Sequence, residues 1–169
     1  GNSKSPGFCV DCEVTGGLID ADFFGAAIEH MVALAVLMPI VAGVGGNAGT
    51  QTLAVTVRAI ATNQLTDSNT RRAIKREMAI AFMNGATIAA LAGIGVTLWF
   101  QNFHLGFVIA AAMQCNILLA GFAGVFIPVM LDRFDQDPAV ASSVFVTMIT
   151  DSMGFLIFLS LAVFSGLVG

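Results

Sequence analysis

Asp151 lies in VFVTMITDSMGFLIFLS, about twelve residues into a long apolar run. A helix rises about 1.5 Å per residue, so this carboxyl falls near the centre of a membrane span. A carboxylate at that depth is costly, and its default meaning is an ion or proton pathway. The alternative is a structural acid, either neutral or paired with a buried base. No Lys, Arg or His stands at comparable depth: Arg58 and Glu77 fall near one rim, and His30 and His104 towards the other. Ser143, Thr147 and Asp151 follow i, i+4, i+8 spacing and share one helix face, with Thr150 beside it. Hydroxyls in membrane helices often bond their own backbone. In line with an acid, they form a polar track.

A second polar patch breaks another apolar run. PIVAGVGGNAGTQT, Pro39 to Thr52, combines helix-weakening residues with Asn47, Thr50 and Gln51. Gly43-x-Gly45-x-x-Ala48 superficially fits a dinucleotide fingerprint, but that motif needs a preceding strand and a βαβ unit. The flanks here are oily, and no Gly-Lys-Ser/Thr follows. Loosened backbone at membrane depth is tolerated only where it is buried in protein or lines a watery cavity. Glycine exposes backbone carbonyls, and oxygen ligands suit hard cations such as Mg²⁺ and Ca²⁺. The plainer alternative is a glycine-rich packing face.

The remaining chemical candidates are weaker. Glu77, in RRAIKREMAIAF, reads first as an exposed ion pair at the membrane rim and second as a cation contact. Asp137, in the loop DRFDQDP, is a further cation contact or simply a solvated acid. Glu29 and His30 are adjacent and diverge on a helix. Cys9 and Cys12 form one C-x-x-C without the second pair of a zinc site, and Cys115 lies in an apolar run. No serine or cysteine nucleophile has a convincing base, so the chain is not expected to be an enzyme.

The elements that position these residues follow from composition. Hydrophobic residues make up 57% and charged residues 11%, too few charges for a water-facing surface. A spanning helix needs about 20 mostly apolar residues. Four segments qualify, at about 23–61, 74–100, 105–131 and 139–168. The expected fold is an all-α membrane protein, a bundle of four recognisable transmembrane helices, the first long and Gly/Pro-interrupted. Residues 1–22 read as a polar extracytoplasmic stub, and 23–169 as the transmembrane domain. Asp67 or Ser68 is expected to cap the second helix, and Asp137 the fourth, with Pro138 in its first turn. Six of the seven basic residues (Arg58, Arg71, Arg72, Lys75, Arg76, Arg133) lie at the ends of segments one and three or in the loops that follow. The positive-inside rule makes that side cytoplasmic and places both ends outside a cell inner membrane.

PIVAGVGGNAGTQT followed by Arg58 and Ala59 resembles the signature of the MgtE family of magnesium channels. KREMAIAFMNG (Lys75 to Gly85) is similar to the start of that family's third transmembrane helix, and DPAVASSVFVTMITDSMGFLIF (Asp137 to Phe158) to its fifth. The resemblance implies a homodimer with five transmembrane helices per subunit, the second and fifth lining a pore. It also implies a hydrated Mg²⁺ held by Asp151, with help from the backbone carbonyl of Thr147. Pore-lining positions would fall on Gly46, Asn47, Thr50, Gln51, Ala54 and Ser143. Some relatives carry asparagine where Thr50 and Ser143 stand. Nothing before Phe23 resembles the family's first helix, nor its cytoplasmic amino-terminal and CBS regulatory domains.

The reading that results is the pore domain of a magnesium channel passing hydrated Mg²⁺ into the cytoplasm. Its expected partners are a second copy, membrane lipid and the transported ion, and no nucleic acid. Rival readings are a proton- or sodium-coupled divalent cation transporter, and a structural membrane subunit. The absence of an inverted repeat favours the channel over the coupled transporter.

Overall fold

A computed structural model describes residues 10–65, 69–134 and 138–166, with side chains from Val32 onward apart from those of 139–141. Asp67, Ser68 and Asp137 lie outside the described residues, as do Lys4 and Cys9.

Sustained apolar runs give four helices: α1 (Val10–Ala61), α2 (Thr70–Phe100), α3 (Phe103–Arg133) and α4 (Pro138–Phe164). No strand occurs among the described residues. Each helix contains a stretch long and apolar enough to cross a membrane: Val32–Ala61, Thr70–Phe100, Phe103–Arg133 and Ser142–Phe164. The chain is thus an all-α, multi-pass membrane protein. Helix α1 starts at Val10, ahead of the boundary expected near Phe23. It also runs unbroken through Pro39, Gly43, Gly45, Gly46 and Gly49. These residues interrupt the sequence pattern but not the helix, because α3 and α4 pack against the glycines and supply the contacts that propensity lacks.

The helix ends are set by local chemistry. Asn63 adopts a left-handed φ of 54° after α1, and the Thr62 hydroxyl donates to the Arg58 carbonyl at 2.9 Å. Asn69 occupies the N-cap position of α2. Gln101, with φ 51°, ends α2. The Asn102 side chain then caps α3 by accepting from the Leu105 N–H at 3.2 Å. The α2–α3 turn is therefore only Gln101 and Asn102, and His104 is already helical. Trp99 and Phe103 are largely exposed at this end, as suits residues at a membrane–water boundary. Gly166, at φ 71°, stops the chain from continuing α4.

Helix α3 is the centre and packs against α1, α2 and α4. Its buried Val108, Ile109, Ala112 and Met113 meet Leu34, Leu37 and Val41 of α1, Ala89 of α2, and Phe158 and Ala162 of α4. The outward residues of α2, such as Phe82, Leu91 and Leu98, are large and apolar, as lipid contact requires. Small residues set the spacing at the crossings. A Cβ on Gly93 of α2 would lie 2.9 Å from the Gly106 carbonyl oxygen of α3. A Cβ on Gly124 of α3 would lie 2.8 Å from the Gly49 carbonyl oxygen of α1.

These contacts predict opposite outcomes for two neighbouring glycines. Gly93→Ala pushes a methyl into backbone and is expected to destabilise the bundle by about 1–3 kcal/mol. Gly95→Ala meets open space and is expected to be neutral or to stabilise by about 0.5–1 kcal/mol through the helix backbone. Thermal unfolding of both variants in detergent checks the pair; equal effects would contradict the close crossing.

Candidate functional site

Helices α1 and α4 lie against each other, and the glycine run of α1 meets Asp151 of α4 there. Gly46 is buried at this junction. A Cβ added to it would sit 3.7 Å from both Asp151 Oδ1 and Thr150 Oγ1. Hydrogen in place of a side chain thus leaves room for the carboxyl group beside α1. One turn on, a Cβ on Gly49 would lie 2.7 Å from Val146 Cγ1, so the two backbones converge here.

On α4, Ser142, Val146, Thr150, Gly154, Phe158 and Ala162 form the buried edge at four-residue steps. Ser143, Thr147 and Asp151 are the adjacent row. Ser143 and Thr147 are exposed, and Asp151 is half-buried. On α1, Gly43, Asn47, Thr50 and Ala54 share a face that is exposed except at half-buried Thr50. A Cβ on Gly43 would touch nothing within 4 Å, so this face is open. The junction therefore carries two exposed rows of small and polar residues with Asp151 at their meeting. None of the four apolar spans, between Val32 and Val57, Met78 and Phe103, Leu105 and Leu131, or Pro138 and Phe164, contains a Lys, Arg or His. Among the described residues, no base in these spans is placed to neutralise Asp151.

The hydroxyls mostly serve their own helices. Thr50 donates to the Asn47 carbonyl and buried Thr150 to the Thr147 carbonyl, each at 3.0 Å. The Thr147 oxygen therefore has a side-chain donor in addition to its place in the helix ladder. An ion or its hydration water reaching that oxygen competes with the Thr150 hydroxyl.

Two candidate residues stand elsewhere. Gln51 is exposed and lines a groove of about 540 Å³ between α1 and α2, with Thr52, Arg76, Glu77, Asn84 and Thr87. Glu77 also lines a neighbouring groove with Arg72 and Arg76 near the α1–α2 loop. Neither Gln51 nor Glu77 joins the Asp151 row. Among the described residues, no three His, Cys, Asp or Glu side chains come together to hold a metal ion. One chain thus offers a single carboxylate with carbonyl and hydroxyl oxygens, a set suited to an ion that keeps its water.

A residue that the sequence did not single out sits behind the junction. Asn116 of α3 is fully buried, and its Nδ2 donates to the Val41 carbonyl of α1 at 2.9 Å. It fills the space that side chains on Gly45 of α1 and Gly154 of α4 would claim. Its Oδ1 has no hydrogen-bond partner. Asn116 thereby locks three helices one layer beneath Gly46 and Asp151. Its only sequence signal was a polar residue in the apolar run AAAMQCNILLA.

Four membrane-crossing helices, a carboxylate midway along one of them and a glycine-rich partner helix define a polytopic transport-type membrane protein. Residues 38–161 match the MgtE family, described as a divalent cation transporter, and the chain belongs to that family. The family comprises transporters, not enzymes. Three proteins named magnesium transporter MgtE are similar to it. The one from Enterococcus faecalis is 43% identical over 139 residues, covering 82% of this chain and 31% of the relative. The one from Bacillus subtilis is 34% identical over 149 residues, covering 88% and 33%. The one from Thermus thermophilus is 32% identical over 139 residues, covering 82% and 31%. The chain spans about a third of the length of these curated relatives.

The packing of Asn116 yields a prediction for the scaffold of the site. Asn116→Ala removes the hydrogen bond to Val41 and leaves a gap between Gly45 and Gly154. It is expected to lower stability in detergent by about 1–3 kcal/mol. Thermal unfolding measures it, and a variant as stable as the parent would contradict the clamp.

Proposed function

We propose that this chain forms one half of a magnesium-selective pore, and that a second copy supplies the other half. The observation that carries the reading is the half-buried Asp151 beside Gly46, at the meeting of two exposed polar rows, with no base in the described spans around it. Facing lipid, such a carboxylate is strongly disfavoured. Facing a water-filled path between two copies, it is solvated and useful. The family's description as a divalent cation transporter is in keeping with this, and the name shared by the relatives specifies magnesium.

The mechanism follows from hydration. Mg²⁺ gives up its water reluctantly, so selection acts best on the hydrated ion. Two Asp151 carboxylates, one from each copy, would attract a divalent ion more strongly than a monovalent one. Thr147, Ser143, Asn47 and Thr50 would offer oxygens to the ion's water above and below. Ala54 and Gly43 would leave width, and Gly46 would admit the carboxylate. Gln51 would stand at the edge of this path, and Glu77 and Asp137 would attract cations near its basic end. By the positive-inside rule that end faces the cytoplasm of the inner membrane, both ends of this segment lie outside, and Mg²⁺ moves inward. The chain covers about a third of these relatives' length, which leaves room for the cytoplasmic regulatory domains that the resemblance implies.

Asp151→Asn, introduced into the complete natural protein in liposomes, is expected to lower Mg²⁺ uptake by about tenfold or more. A variant that dimerises and takes up Mg²⁺ like the parent would sink the assignment. Uptake by the parent with no imposed proton or sodium gradient is expected, and a strict need for such a gradient would replace the channel by a coupled transporter.

A further inference from the structure

The two-residue turn at Gln101 and Asn102 makes α2 and α3 antiparallel neighbours. At the opposite end of the pair, the first turn of α2 therefore meets the last turns of α3. A groove of about 240 Å³ opens there. Arg71, in the first turn of α2, and Arg133, the last residue of α3, are among the residues that line it. Thr70, Ile74, Phe126, Val129 and Met130 line the rest.

We propose that this groove binds an anionic phospholipid, with the headgroup phosphate between Arg71 and Arg133 and an acyl chain along Ile74, Val129 and Phe126. Three observations converge on a lipid. The arginines lie at the ends of two membrane-crossing stretches, where headgroups lie. Guanidinium groups match phosphate oxygens with a planar fork of donors. Basic pockets between spans are a recurrent means of holding anionic headgroups. The apolar wall also continues into the membrane: Phe126 stacks on Phe122, one turn deeper, with ring centroids 5.2 Å apart and planes 15° from parallel. Both rings are about two-fifths exposed, a surface that an acyl chain covers.

The neighbouring basic groove does not match this chemistry. Arg72 and Arg76 share it with Glu77, whose carboxylate repels an anion. No residue of α1 or α4 lines the groove, so the site is separate from the Asp151 junction.

Native mass spectrometry of the purified complete protein, with phosphatidylglycerol or phosphatidylcholine added, tests the proposal. The parent is expected to retain phosphatidylglycerol about tenfold more tightly than phosphatidylcholine. The double variant Arg71→Gln/Arg133→Gln should lose that preference, and Lys75→Gln, which does not line the groove, should keep it. Val129→Trp leaves both arginines and fills the apolar wall; it is expected to weaken retention of phosphatidylglycerol at least fivefold, and it decides the matter if the double variant fails to fold. A parent without preference, a folded double variant that keeps it, or a Val129→Trp protein that binds like the parent would overturn the lipid site. Displacement of the lipid by millimolar inorganic phosphate alone would mark a simple anion site and overturn it equally.

Discussion

In lipid, helices gain little by hiding apolar side chains from one another, so they must approach closely enough for backbones to touch. Everything in this bundle depends on that closeness at α3. Gly106 meets Gly93 of α2, Gly124 meets Gly49 of α1, and Gly154 of α4 meets Asn116 of α3. Because α1 and α4 share α3 as their support, they also meet each other, and Gly46 reaches Asp151. A bulkier α3 would separate the two helices, and the carboxylate would face lipid with no neighbouring oxygens. The location of the acid is thus a consequence of residues that have no chemistry of their own.

The glycines of PIVAGVGGNAGTQT therefore do two jobs, set by their position around one continuous helix. Gly45 and Gly49 point into the bundle and are spent on packing. Gly43 points to open space, and Gly46 stands between, adjoining the carboxylate. Packing accounts for Gly45 and Gly49, whereas Gly43 and Gly46 are the glycines that the proposed ion path would use. The same division separates Gln51 from Asn47. The two are one turn apart, yet Gln51 lines the α1–α2 groove, while Asn47 shares the open face with Gly43.

Much of the fold was legible in the sequence because hydrophobic length is a strong and local signal. Four runs of the required length gave four helices, with ends shifted by a few residues at α2, α3 and α4. The start of α1 at Val10 was not legible, since the residues before Phe23 are polar enough to read as a stub. Its continuity through Pro39 and the glycines was not legible either, because propensity is counted along one helix, whereas the compensating contacts come from others. Asp151 stood out because a lone acid at mid-span has a large cost that sequence alone reveals. Asn116 did not, because its role rests on partners about 70 residues before it and about 40 after it, at Gly45 and Gly154.

The Thr150 hydroxyl bears on how Asp151 and Thr147 would divide their work in the proposed pore. Thr150 is fully buried and donates to the Thr147 carbonyl. With a helix N–H and this hydroxyl both directed at it, that oxygen has little capacity left for an ion. The carboxylate of Asp151 has no such competitor built beside it; its near neighbour across the junction is Gly46, which has no side chain to donate. In the proposed pore the exposed Thr147 side chain, rather than its carbonyl, would then be the group better placed to meet an ion's water. Selectivity in the proposed pore would rest mainly on charge at Asp151 and only secondarily on the oxygen one turn earlier. That ordering differs from the sharing of roles implied by family resemblance, and its cause is a single threonine on the buried edge of α4.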